Sequence, residues 1–86
     1  MELRVLVVRP REFCMEYRMF FRKPLIAFHI LKALRDSGRP LTACEVAKIT
    51  DITRGKAENY LRRLYLLGLV DRLKVKQKTY GYFIKR

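Results

Sequence analysis

Apolar residues follow a short-range strand pattern at the start of the chain, helical spacing through its middle, and strand alternation again near its end. Residues 3–8 (LRVLVV) are short, rich in β-branched side chains and stopped by Pro10, which predicts a strand. From Arg11 to Phe21 the residues Phe13, Tyr17, Phe20 and Phe21 recur at helical spacing, with Met15 and Met19 beside them, and predict a short helix. Pro24 suits the first turn of a second helix, in which Leu25, Phe28, Ile30, Leu31 and Leu34 form a broad buried face; it ends near Ser37-Gly38. Arg39-Pro40-Leu41 reads as an extended connector, and Thr42 stands three residues before Glu45, the spacing of a capping box. The helix that starts there carries small apolar positions, Ala43, Val46, Ala47 and Ile49, and breaks at Thr50-Asp51-Ile52.

The stretch from Thr53 to Val70 (TRGKAENYLRRLYLLGLV) is the most informative. Thr53 can accept from a free amide of the first turn, and Gly68 suits the left-handed residue that commonly ends a helix. Ala57, Tyr60, Leu61, Leu64 and Leu67 make one inward stripe, while Arg54, Lys56, Asn59, Arg62 and Arg63 occupy the other face. A helix exposing that many hydrogen-bonding cations is suited to phosphates and base edges. After Gly68, the residues Leu69, Val70, Leu73 and Val75 predict a strand, Lys76-Gln77-Lys78-Thr79 a turn, and Tyr80, Tyr82, Phe83 and Ile84 a returning strand. The result is a hairpin with a lysine-rich tip, with Lys74, Lys76 and Lys78 on one side.

Length and charge sharpen this picture. With 86 residues the chain supports one small domain with a modest core. The net charge of +12 is unevenly spread: residues 54–86 hold ten Lys/Arg against two Asp/Glu, whereas residues 24–53 hold four against three. Clustering of this kind is the footprint of a protein that meets a polyanion, set against the alternative of a merely solvated basic face. No segment approaches the ~20 apolar residues of a membrane span, and no secretory leader is evident, so the expected location is the cytoplasm, at the nucleoid. Cys14 and Cys44 lack the spacing of a zinc site and read as buried small hydrophobes; a disulfide through them is the alternative. His29, between Phe28 and Ile30, reads as structural. Paired carboxylates, a nucleophile with its base and a phosphate loop are all missing, so the sequence predicts no catalytic residues, no metal site, no cofactor and no small-molecule substrate.

The order helix, helix, turn, helix, two-stranded wing resembles the winged helix-turn-helix family from Pro24 to about Lys85. Leu61-Arg62-Arg63-Leu64 followed by Leu67-Gly68-Leu69-Val70-Asp71-Arg72 is similar to the recognition-helix exit of MarR-type and ArsR-type regulators, and Thr42-Ala43-Cys44-Glu45-Val46-Ala47 to their second helix. The resemblance implies an α+β winged helix-turn-helix at residues 24–86, with a three-helix core and a C-terminal wing. Residues 1–23 form an N-terminal strand and helix extension that departs from the family pattern. It further implies that the helix at 53–67 enters the major groove and that the wing at 73–80 reaches the backbone or a minor groove.

Elementary chemistry suits the residues to those parts. Asn59 is shaped for a paired contact to adenine, Arg54, Arg62 or Arg63 for the forked contact of guanine, Lys56 for phosphate, and Lys74, Lys76 and Lys78 for further phosphates. Each has a plain alternative: Asn59 as a solvated surface residue, Arg62 and Arg63 as solvated or paired with Glu58. For Tyr60 the plain reading, core, prevails. The expected function is sequence-specific binding of double-stranded DNA by a small transcriptional regulator. It is expected to act as a homodimer, with the strand at 3–8 and the aromatics and methionines of 13–21 as dimer surface. The alternatives are an RNA-binding or ribosome-associated protein and a protein-interaction module.

Overall fold

The computed structural model describes residues 10–84; the predicted strand at 3–8 and the final two residues lie outside them. Four helices precede a two-stranded antiparallel sheet: α1 (Pro10–Tyr17), α2 (Pro24–Ser37), α3 (Ala43–Thr50), α4 (Arg54–Leu66), β1 (Val70–Lys76) and β2 (Thr79–Ile84).

The helix boundaries follow from their caps. α2 opens with Pro24 in its first turn and closes on Gly38 in the left-handed region. α3 has the full capping box: the Glu45 amide donates to Thr42 Oγ1 and the Thr42 amide to the Glu45 carboxylate. It stops at Asp51, also left-handed, whose φ of 58° makes the tight turn between α3 and α4. Thr53 then accepts from the Lys56 amide at 3.2 Å and starts α4. Gly68, at φ 80°, reverses the chain into β1, a conformation that costs glycine little. α1 is shorter than the expected Arg11–Phe21, because beyond Tyr17 the chain turns so that Phe21 can enter the core against the Tyr60 ring.

The core draws on every element. Phe13 is fully buried against Tyr17 and Phe28. Ala27, Ile30, Leu31 and Leu34 of α2, Val46 and Ala47 of α3, and Ala57, Leu61 and Leu64 of α4 complete it, with Val70 and Tyr82 from the sheet. Tyr60 and Leu67 pack partly buried against this cluster, as their stripe predicts. Two expected core positions are corrected. Leu25 is exposed because it falls on the face of α2 opposite Ala27, Leu31 and Leu34; Ile49 is 58% exposed because it stands off the Val46–Ala47 face of α3.

The hairpin pairs Val70 with Ile84 through Lys74 with Tyr80, then shifts register, so that Lys76 faces Thr79 and Val75 is the extra residue of a bulge. Leu41 exchanges both backbone hydrogen bonds with Tyr82, at 2.8 and 3.0 Å, and ties the connector between α2 and α3 to the root of the hairpin. Gly81 lies in this seam. A Cβ there would stand 3.0 Å from Pro40 Cβ and 3.2 Å from Val75 Cγ2.

Candidate nucleic-acid interface

α4 separates its residues into two faces, as the stripe requires. Arg54, Lys56, Asn59, Arg62 and Arg63 are all exposed, and so are Lys74, Lys76 and Lys78 on the hairpin. The first turn of α4 and the hairpin turn meet: a cleft of about 170 Å³ is lined by Thr42 and Cys44 at the start of α3, Arg54 and Glu58 of α4, and Lys78 and Tyr80 of the hairpin. Arg54 and Lys78, 24 positions apart in sequence, therefore share one cleft whose floor is the amino end of α3. Cations from two elements meet there beside the capped amino end of α3, with Glu58 as the carboxylate of the lining.

The exposed cations are not equivalent. Arg54 Nε lies 3.8 Å from Glu58 Oε1, a loose pair at i, i+4, so the partner of Glu58 is Arg54 and not Arg62 or Arg63. Arg63 donates from Nη1 to the Phe20 carbonyl at 2.6 Å, which ties the carboxyl half of α4 to the segment after α1. Arg62 and Lys56 have no side-chain partner among the described residues. The bulge at Val75 interrupts the two-residue alternation between Lys74 and Lys76, so the one-sided lysine run read from a regular strand does not carry through it.

One cation escaped the sequence reading. Arg72 holds its guanidinium over the Tyr65 ring at 4.2 Å and over the Tyr80 ring at 4.3 Å. Tyr82, opposite it in the ladder, is the main cause of a pKa raised above the ordinary arginine value, beyond what burial takes away. The available signal was an arginine in one strand with tyrosines on the returning strand, at Tyr80 and Tyr82.

The cysteines also depart from expectation. Both thiols are free; Cys44 is exposed, because at the second position of α3 it faces the cleft while Val46 and Ala47 face the core, and Cys14 is half-buried. His29 is exposed at the edge of a groove between α2 and α3, its ring edge-on to Phe28 at 6.4 Å. Among the described residues, no group of three or more His, Cys, Asp or Glu is placed to hold a metal, and no helix is long and apolar enough to cross a membrane.

Residues 28–72 match the family described as bacterial regulatory protein, arsR family. The crystal structure of the ST1889 protein from the thermoacidophilic archaeon Sulfolobus tokodaii is similar at 27% identity and TM-score 0.66, over 91% of this chain and 77% of that one. MepR, a transcription regulator of the Staphylococcus aureus multidrug efflux pump MepA, shares the fold at 21% identity and TM-score 0.66; the alignment covers 88% of this chain and 56% of MepR. HOP2, described through its DNA recognition and protein interaction domains, shares it at 23% identity and TM-score 0.60, over 70% of this chain and 98% of that one. No curated protein matches the chain. The α+β winged helix-turn-helix implied by the motifs is the fold of this molecule, with α3 and α4 as its helix-turn-helix and β1–β2 as its wing.

Proposed function

This chain belongs to the arsR family of bacterial regulatory proteins, and on that premise we propose how such a DNA-binding transcriptional regulator engages its target. α4 lies in the major groove of a duplex, and the β1–β2 wing follows the backbone or an adjoining minor groove. The observation that carries this reading is the meeting of exposed cations from α4 and the wing, Arg54 and Lys78, in one cleft. Asn59 is shaped for adenine and Arg62 for a guanine or a flanking phosphate, and both are exposed on α4. Arg54, Lys56, Lys74, Lys76 and Lys78 hold phosphates and supply affinity without sequence information. Arg63 serves this surface indirectly, holding α4 to the Phe20 segment.

The protein acts by occupancy rather than by a reaction, and it works in the cytoplasm on the chromosome. It does so as a homodimer, because a single module of this size contacts too few base pairs for specific binding, whereas two recognition helices one turn of DNA apart read a palindromic operator. Within residues 1–23, Phe13 and Phe21 are consumed by the core of their own chain. Met15, Met19 and Phe20 stay exposed, as does Leu66 of α4, and these apolar side chains are available to a partner copy.

Fluorescence anisotropy with duplex DNA, duplex RNA and single strands across a salt series tests the reading. A preference for duplex DNA with a steep salt dependence, weakened by Arg62→Ala and Lys76→Ala, is expected. Equal or tighter RNA binding would replace it with an RNA-binding function, and no binding at low salt with a protein-interaction module.

A further inference from the structure

We propose that Arg72 is a positioning residue, its guanidinium clamped between Tyr65 of α4 and Tyr80 of β2, which sets the wing against the recognition helix so that both meet one duplex together. This rests on the DNA-binding mode proposed above.

A hairpin of two strands is marginal alone and takes its orientation from what it packs on. The chain supplies two ties at the wing root. One is the Leu41–Tyr82 backbone bridge, which joins β2 to the connector before α3. The other is Arg72, which joins β1 to the last turn of α4, its guanidinium carbon standing over the Tyr65 and Tyr80 rings at 4.2 and 4.3 Å. A guanidinium can stack on two rings at once because it is flat and weakly hydrated; an ammonium offers no such pair of faces. Val70 before it and Tyr82 opposite it are buried, whereas Leu73 and Val75 beyond it are exposed, so Arg72 marks where the wing leaves the body of the domain. Its importance for binding follows from multivalency. Lys74, Lys76 and Lys78 reach the duplex held by α4 at a high effective concentration only if the wing is held at the matching angle.

Three variants and two readouts test this, starting from the folded wild-type protein. Each neutralised phosphate contact contributes about 0.9 to the slope of log affinity against log salt on duplex DNA. Lys76→Ala should therefore lower the slope by about 0.9, while Arg72→Met should lower it by about 2 to 3, as the wing lysines disengage together. Adding Lys76→Ala to Arg72→Met should then change it little. Arg72→Lys, which keeps the charge, should behave as Arg72→Met does. A loss of about 0.9 that adds fully to that of Lys76→Ala, or full rescue by Arg72→Lys, would mean that Arg72 is itself a phosphate contact and would overturn the proposal.

The second readout needs no DNA. Backbone amide order parameters of residues 75–79 should fall relative to those of α4 in Arg72→Met, and unchanged values would also overturn the proposal. If Arg72→Met does not fold, Tyr65→Leu carries both measurements, with Tyr65→Phe as the ring-preserving control. Wild-type protein that fails to bind duplex DNA, with the amide response still seen in Arg72→Met, would sink the DNA-binding mode and leave the clamp standing.

Discussion

Arg62 and Arg63 are adjacent in sequence and alike in charge and exposure, yet the structure gives them different work, and that difference can be measured. Arg62 has no side-chain partner among the described residues, whereas Arg63 reaches back 43 positions to the Phe20 carbonyl at 2.6 Å. Replacing Arg62 with Ala removes one phosphate or base contact. If it is a phosphate contact, the salt slope falls by about 0.9, which amounts to roughly a 3.5-fold smaller loss of affinity between 50 and 200 mM salt. If Arg62 forks onto a guanine, about 1–3 kcal/mol of discrimination disappears as well. Replacing Arg63 with Ala removes a hydrogen bond from an ionised donor in a solvent-accessible position, a contribution of about 1 kcal/mol. In a domain of this size that lowers Tm by about 4–8 °C. Anisotropy over a salt series and thermal melts on the same two proteins give both quantities. Arg62→Ala should shift the slope and spare Tm; Arg63→Ala should do the reverse. Equal slope losses for the two variants, with Tm unmoved by Arg63→Ala, would refute the division of labour.

Three further outcomes are expected. Phe13→Ala empties a fully buried ring site and should cost about 3–5 kcal/mol, a large share of the total stability of a small domain, while Met19→Ala, at a residue 89% exposed, should stay within about 0.5; comparable denaturant midpoints would show that α1 is no part of the core. Gly81→Ala brings a Cβ to 3.0 Å from Pro40 and 3.2 Å from Val75 and should destabilise by about 1–3 kcal/mol, which an unshifted midpoint in urea would contradict. The Glu45 carboxyl is held below its ordinary pKa, first by the Thr42 amide and then by Arg39, so its ionised form stabilises the fold above the unfolded-state pKa and that contribution is lost as pH falls through the lowered folded value. Glu45→Gln preserves the cap acceptor, so its Tm should lie below the wild type near neutral pH and converge with it as acid protonates the wild-type carboxylate; a constant gap would rule the charge out.

The local determinants of the fold were legible because they act over three or four residues. Thr42 with Glu45, Thr53, Gly38 and Gly68 announce helix ends through the chemistry of unpaired amides and left-handed backbone. Ala57, Leu61 and Leu64 announce the buried face of α4 through periodicity alone, and the cations opposite them were placed on the exposed face by the same reasoning. Periodicity was a weaker guide at the margins. Leu25 lies on the face of α2 opposite the buried residues and Ile49 lies beside those of α3, and the packing of the neighbouring helices leaves both outside.

The element order, the caps, the main core stripe and the segregation of charge are thus written in short-range patterns along the chain. The tertiary structure decided which of those residues meet. It brought Phe13 and Phe21 of the presumed extension into the common core, joined Arg54 and Lys78 in one cleft, tied Arg63 to Phe20, and closed Tyr65 and Tyr80 over Arg72. None of these contacts has a local signature, because each depends on the angle at which one element packs on another, and that angle is set by the whole core.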